Sequence, residues 1–366
     1  MEFLDLGWQT RQVKSEVRKK WKKVLGQSNF ILSPHVAKFE QAFASFSGVA
    51  QCIGVGNGTD ALEIAIRALG IGQGDEVIVP ANSFVASAIA VSRAGATPVL
   101  VDCEPGTWLL DASKIRDSIT QRTRAIMPVH LYGQMANMRD IQSIASSFNL
   151  SVIEDVAQAQ GAIQAGRKAG SIGEVAGTSF YPGKNLGAMG DGGAVLTSSS
   201  AIMQESIALR NYGSPVKYEH PTFGFNSRLD SLQAVVLTAK LKRLQEWNRM
   251  RQAQAEFYLD ALSNVAEIGL PVVAEGNEHV WHLFVIQVES RDAVAESMAK
   301  VGVSTGIHYP TPIHLLGMYG HLGHREGDFP VAERSAKKAL SLPIYPGLSR
   351  RQQELVVSSL REALRS

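Results

Sequence analysis

The chain has 366 residues, 45% hydrophobic and 19% charged, a composition that fits a folded globular protein and excludes a disordered or low-complexity one. A formal net charge of +2 provides no strong field and so argues against nucleic acid or an acidic membrane as partner. The two cysteines, Cys52 and Cys103, lie in or beside apolar stretches; buried free thiols in a reducing cytoplasm are the simple reading, a single disulfide the alternative. Residues 1–5 are too acidic and too short of apolar length for a signal peptide. No run approaches the ~18 apolar residues of a spanning helix, so a soluble, cytoplasmic protein is expected.

In chain order, an extended start leads into the basic stretch 11–25, which predicts an exposed helix with a solvated charged face. A second helix carries Val36, Phe39, Phe43 and Phe46 at helical spacing and closes at Gly48. Alternation follows: strands over 75–80, 98–102, 124–130 and 151–155, with helices over 83–94, 111–119 and 138–148 between them. Strands separated by helices of this length imply crossover connections and a mainly parallel sheet buried on both faces. Further strands are expected over 178–181 and 193–197, with one antiparallel pair among them. Residues 230–261 contain no Gly or Pro and keep a helical rhythm, predicting one long helix, or two end to end, that bridges to a second domain. A strand over 281–288, a helix over 292–301 and a late Pro-rich region complete an expected α/β unit. The fold class is therefore α/β, with a large domain over 12–245, a smaller C-terminal domain over 246–366, and residues 1–11 packing against the latter.

Open parallel sheets bind ligands at the carboxyl ends of their strands, so polar residues just past predicted strands are the candidates. Gly54-Val55-Gly56-Asn57-Gly58-Thr59-Asp60 is a glycine-rich turn opening a helix over 61–69; free amides there suit a phosphate, with Thr59 adding a hydroxyl. A plain cap by Thr59 or Asp60 is the alternative, and the glycine spacing fits neither a dinucleotide fingerprint nor a nucleoside-triphosphate loop. Asp155 closes an apolar strand, where a carboxylate needs a positive partner such as a pyridinium nitrogen, a helix cap or an arginine. Lys184 follows a strand in Ser179-Phe180-Tyr181-Pro182-Gly183-Lys184 and can reach into the cleft; an imine-forming lysine must be neutral part of the time. A solvated loop lysine is the alternative. Ser179 is positioned for a phosphate oxygen. Asn226, with Ser227, either reaches a site or caps the long helix. His308, Tyr309 and His314 form a rigid Pro-bounded segment, and neither His308/His314 nor His321/His324 has the company a metal site requires. No metal is expected.

At these residues the chain resembles the DegT/DnrJ/EryC1/StrS family of nucleotide-sugar aminotransferases, which share the fold-type I, aspartate aminotransferase-like architecture. The resemblance runs from Phe3-Leu4-Asp5-Leu6 to Leu340-Ser341-Leu342-Pro343-Ile344, and is most specific over 56–62, Glu154-Asp155-Val156-Ala157-Gln158-Ala159 and 179–193. It implies a large domain built on a seven-stranded-type sheet, with pyridoxal 5'-phosphate held by Lys184 as a Schiff base. It implies that Asp155 pairs with the ring nitrogen, that Gln158 lies near the ring, and that Phe84 stacks on it. Gly58, Thr59 and Ser179 would hold the phosphate, and Asn226 would reach the neighbouring subunit's cofactor, so a homodimer with shared active sites is implied. Val156, where alanine is more usual, and Phe84, at a position that varies among aromatics, are mild departures. Family dehydratases carry a histidine in place of the lysine, so Lys184 argues against dehydration. Asn211-Tyr212-Gly213-Ser214, Lys217-Tyr218, Phe225-Asn226-Ser227-Arg228-Leu229-Asp230 and Ile307-His308-Tyr309-Pro310 are similar to enzymes that aminate carbon 3 of dTDP-3-keto-6-deoxyhexoses with glutamate. In that likeness Tyr181, Lys217, His308 and Tyr309 line the sugar-nucleotide pocket. Enzymes acting on UDP-linked 3-keto uronic sugars share much of the pattern, and a 4-keto sugar or a non-catalytic regulatory role are the remaining alternatives.

Overall fold

The computed structural model describes residues 1–365. Helix α1 (Leu6–Gln27) begins five residues before the basic stretch, because the Asp5 carboxylate accepts from the Trp8 amide and caps it. The extended start is thus only five residues long. Helix α2 (Pro34–Ser47) is capped by Ser33 and closed by Gly48 in the left-handed conformation, φ 76°. Then come β1 (Gln51–Val55), α3 (Gly58–Ala68), β2 (Glu76–Pro80), α4 (Ala86–Ala94), β3 (Thr97–Val101) and the single turn α5 (Ala112–Ile115). Next are β4 (Thr123–Ile126), α6 (Met138–Phe148), β5 (Ser151–Asp155), the two-residue strands β6 (Ile163–Gln164) and β7 (Arg167–Lys168), β8 (Val175–Ser179) and β9 (Gly193–Thr197). Helix α7 (Ser200–Leu209) leads to α8 (Ser231–Leu262), which is unbroken over 32 residues. The remainder comprises β10 (Ile268–Gly269), β11 (Asn277–Glu278), β12 (Phe284–Val288), α9 (Arg291–Lys300), α10 (Pro330–Lys338), β13 (Ala339–Leu342) and α11 (Arg350–Ala363).

Several expected boundaries move for identifiable reasons. The strand expected over 124–130 ends at Ile126, since Pro128 has no N–H for the ladder and only an isolated bridge joins Val129 to Asp155. The strand expected from residue 281 starts at Phe284, because Trp281 adopts φ 46°, outside the extended region. Strand β1, helix α7 and the three final elements had no counterpart in the sequence reading. The start of α11 was nevertheless written in a capping box, Ser349 with Gln352.

Seven strands form one sheet in the order β1-β9-β8-β5-β4-β2-β3. Strand β9 is antiparallel to both neighbours, so there are two antiparallel pairings rather than one; the other strands run parallel to each other. Their carboxyl ends therefore share one edge, where Asp155 and Ser179 end β5 and β8. Helices flank the sheet, and a smaller C-terminal α/β domain carries the antiparallel order β10-β12-β13 with its own core around Tyr258, Phe284, Met298 and Val356. Helix α8 joins both layers and packs with α1 through Val13, Val17, Val24 and Trp247. Met1 and Leu4 pack on the smaller core.

Beneath the sheet edge, Phe39 and Phe43 stack on each other and meet the Phe180 ring edge-on at 5.3 and 5.2 Å. All three are fully buried. Replacing Phe39 with Ala should cost about 3–5 kcal/mol of unfolding free energy, measured by denaturant titration. The same change at the exposed Phe148 should stay within about 0.5 kcal/mol.

Candidate active site

Past β8 the chain doubles back. The Lys184 amide donates to the Tyr181 carbonyl at 2.9 Å and the Ala188 amide to that of Phe180 at 2.8 Å. A side chain at Gly187 would meet the Pro182 carbonyl oxygen at 2.2 Å, so only glycine fits the turn. The loop is fastened from behind. Asn185 Nδ2 donates to Asn248 Oδ1 at 2.9 Å and to the Val280 carbonyl at 3.0 Å, and its Oδ1 lies 3.1 Å from His282 Nδ1. The Leu186 amide donates to Gln160 Oε1, and the buried Lys240 ammonium donates to the Gly187 carbonyl at 2.7 Å.

The Lys184 Nζ itself has no hydrogen bond or ion pair among the described residues. Burial pushes this amine down to about 8, against a smaller opposing pull from Asp155. Such an amine is available as a nucleophile near neutral pH. It is not a solvated loop lysine.

Asp155 is 4% exposed. Its Oδ2 accepts from the Ser87 hydroxyl at 2.8 Å and its Oδ1 from the Ala157 amide at 3.1 Å. Burial raises the carboxyl above its ordinary value, while these two donors and the charge of Lys184 pull it back. No arginine pairs with it, and each oxygen keeps a free acceptor direction. On the opposite face of the strand, Glu154 accepts from His130 Nε2 at 2.8 Å and from the amides of Gly170, Ile172 and Gly173. Burial alone would push Glu154 up, but these donors hold it below its ordinary value.

The glycine-rich turn is capped by Asn57, which accepts from the Asp60 amide at 2.9 Å. Neither Thr59 nor Asp60 is the cap, and the Thr59 hydroxyl forms no hydrogen bond among the described residues. Gly58 opens α3 against Ser179, whose Cβ would lie 2.6 Å from a side chain added at Gly58. Gly58, Thr59 and Ser179 are thus brought together at a helix N-terminus, the geometry of an anion cradle. Asn226 is exposed and joined to Asn211 by a backbone bridge; α8 is preceded by Asp230, so neither Asn226 nor Ser227 caps it. Ser227 instead accepts from the Gly56 amide and donates to Asp60 at 2.7 Å, bracing the turn.

Gln158 Oε1 accepts from the Tyr132 amide at 2.7 Å, and its Nε2 donates to the Tyr309 hydroxyl at 3.0 Å. The Tyr309 ring lies 5.2 Å from that of Phe84, which is 51% exposed and open to a stacking partner. Burial, with Asp155 adding to it, pushes the Tyr309 phenol well above its ordinary value, so it stays protonated. His308 stacks on Phe3 at 5.7 Å and lies 2.8 Å from the Ser341 hydroxyl through Nδ1; burial, with Lys184 nearby, lowers it to about 4. Tyr181 is exposed. Lys217 is set apart: its Nζ lies over the Tyr218 ring at 4.9 Å, and no hydrogen bond or ion pair ties it to the other candidates. His314 pairs with Glu333 and His324 with Asp328; no group of three or more His, Cys, Asp or Glu among the described residues could hold a metal.

Sequence reasoning missed Ser87, Tyr132 and His282. A helical serine carries no signal of its own, and Tyr132 acts through its amide on Gln158 and its hydroxyl on the His308 carbonyl, partners distant in sequence.

A free amine, a buried carboxylate and an anion cradle on one sheet edge fit pyridoxal phosphate: Asp155 keeps acceptor capacity for a ring N–H, and Thr59 retains its donor. With this fold they define a pyridoxal-phosphate-dependent aminotransferase of fold type I. The sequence pattern of the DegT/DnrJ/EryC1/StrS aminotransferase family matches residues 11–361. The chain is 46% identical to the erythromycin biosynthesis sensory transduction protein EryC1 of Saccharopolyspora erythraea, covering 98% of each. It is 47% identical to the dTDP-3-amino-3,6-dideoxy-alpha-D-galactopyranose transaminase of Aneurinibacillus thermoaerophilus, also covering 98% of each. The crystal structure of DesV from S. venezuelae, in complex with a ketimine intermediate, superposes with a TM-score of 0.97 at 44% identity, over 99% of this chain and 97% of that one. The chain belongs to the DegT/DnrJ/EryC1/StrS aminotransferase family.

The depressed Lys184 value has a consequence for stability in cofactor-free protein. A lysine at about 8 when folded and 10.5 when unfolded destabilises the fold fully below pH 8, and this penalty fades as pH rises toward 10.5. Lys184→Met should therefore be more stable than the parent at pH 7, with the gap narrowing between pH 8 and 10.5 in denaturant titrations. A gap independent of pH would contradict the depressed value.

Proposed function

We propose that the chain transfers an amino group from L-glutamate to carbon 3 of a dTDP-linked 3-keto-6-deoxyhexose, giving 2-oxoglutarate and the 3-amino-3,6-dideoxy sugar nucleotide. The observation that carries this is the unpartnered Lys184 amine in the same pocket as the buried Asp155 carboxylate. The names of the relatives at 47% and 46% identity support a sugar-nucleotide substrate in a biosynthetic setting. The likeness of residues 211–214 and 307–310 to carbon-3 enzymes supports the position of amination.

Pyridoxal 5'-phosphate, when bound, supplies the electron sink that makes a carbon next to nitrogen acidic. The protein residues supply the rest. Gly58, Thr59 and Ser179 would hold the phosphate, Asp155 would pair with the ring nitrogen, and Gln158 and Phe84 would bind the ring. Lys184 Nζ, neutral for part of the time near pH 8, takes the proton from the α-carbon of glutamate and later delivers one to carbon 3 of the sugar. Tyr181, His308 and Tyr309 line the sugar-nucleotide pocket; Lys217, set apart from them within one chain, is assigned there by the likeness of its motif alone.

Asn226 reaches the cofactor of a second subunit, so the working form is a homodimer. The exposed apolar side chains Phe30, Ile31, Leu32, Tyr212 and Phe223 support such an interface. The enzyme works in the cytoplasm. Among the described residues no helix is long and apolar enough to cross a membrane.

Lys184→Ala should lower turnover by at least roughly 10²–10⁴-fold, the range for loss of a positioned proton-transfer group. Turnover near the parent rate would remove Lys184 from the chemistry. Substrate choice is tested with dTDP-3-keto-6-deoxyglucose, its galactose epimer and a UDP-linked 3-keto sugar, glutamate as donor, and NMR of the product. Nitrogen on carbon 3 of a dTDP sugar is expected; nitrogen on carbon 4, or turnover of the UDP sugar alone, would overturn the assignment.

A further inference from the structure

Asp155 has a polar support that the reaction scheme does not use. Ser87, on the first turn of α4, donates its hydroxyl proton to Asp155 Oδ2 at 2.8 Å. The Ser83 hydroxyl lies 2.8 Å from that of Ser87, and the two serines are 3% and 1% exposed. An ionised carboxylate only accepts, so the Ser87 proton is committed to Asp155 and Ser83 must be the donor to Ser87. The two serines thus form a dry chain of hydrogen bonds running in one direction, from Ser83 through Ser87 to the carboxylate.

We propose that Ser83 and Ser87 are positioning residues that hold Asp155 ionised and fix the orientation of its carboxylate toward the cofactor ring. The inference rests on the assignment of Asp155 as the ring-nitrogen partner. Buried without these donors, a carboxylate takes up a proton, and a protonated acid cannot stabilise a charged ring nitrogen. Polarisation along a buried hydrogen-bond chain gives Ser83 leverage on an atom it does not touch. Position explains why the pair acts on Asp155 alone. Ser87 approaches from α4, while the neighbouring donor, the Ala157 amide, comes from the strand's own continuation. The titratable groups that face Asp155 are Lys184, His130 and Tyr309, and none hydrogen-bonds to its carboxylate.

The test uses the full-length chain in two states. In cofactor-free protein, the carboxyl ¹³C shift of Asp155 is titrated in the parent and in Ser87→Ala, Ser83→Ala and Ser87→Thr. The account expects the Asp155 midpoint to rise by about one unit, a tenfold change in the protonation constant, in Ser87→Ala. It expects a smaller rise in Ser83→Ala and a return toward the parent in Ser87→Thr, which keeps the hydroxyl. In protein loaded with ¹⁵N-labelled pyridoxal phosphate, the ring-nitrogen shift should report loss of its proton at lower pH in Ser87→Ala than in the parent. An Asp155 midpoint unmoved by either alanine would overturn the proposal, as would a Ser87→Thr protein that behaves like Ser87→Ala. A shifted midpoint with an unresponsive ring nitrogen would uphold the serine chain and refute Asp155 as the ring's partner.

Discussion

The site depends on an acid and an amine brought close enough to feel each other's charge without forming an ion pair. Burial drives both toward their uncharged forms: Lys184 falls to about 8 and the Asp155 carboxyl rises. Asp155 is then pulled back by hydrogen bonds from Ser87 and Ala157, whereas Lys184 receives no hydrogen bond and only the smaller pull of the Asp155 charge. This asymmetry favours the charged form of the acid and the neutral form of the amine. Neither property belongs to the residue type; each follows from what the surrounding chain donates or withholds.

The fold delivers strand ends to one edge and buries them there. Parallel β5 and β8 carry Asp155 and Ser179 to that edge, and α3 turns its N-terminus toward it. Antiparallel β9 brings Gly193 so close to the turn that an added side chain would lie 2.3 Å from the Asn57 carbonyl oxygen. Helix α8 has an equally direct part. Gln233, Lys240, Asn248 and Arg251, spread over five turns, bond in succession to Met189, Gly187, Asn185 and the carbonyls of Trp281, His282 and Ile344. One helix therefore fastens both the lysine loop and the segment leading into the smaller domain.

Much of this was legible in the order of residues. Buried parallel strands read as apolar runs, so β2, β3 and β5 could be found, and polar residues immediately after them marked the edge where ligands bind. One antiparallel pair was expected among the strands near 178–181 and 193–197, and β8 with β9 supplies it; the second, β9 with β1, could not be read because β1 was not recognised as a strand. The first turn of α1 was hidden because its cap, Asp5, precedes a Leu-Gly pair rather than an apolar rhythm. Lys184 and Asp155 were identifiable from motif and position, but their electrical character was not. It depends on Ser87, 68 residues from Asp155 in sequence, and on a loop fastened by Lys240, which is 53 residues beyond Gly187. Lys217 illustrates the reverse: its motif suggested the pocket, yet within one chain it is fixed only to its neighbour Tyr218.

The most direct measurement of the central claim is reduction of the cofactor-loaded protein with borohydride followed by peptide mapping. The account predicts one pyridoxyl-modified peptide, spanning Ser179–Gly193, with the adduct on Lys184. An adduct on Lys240 or any other lysine, or no adduct in protein that has bound the cofactor, would contradict it.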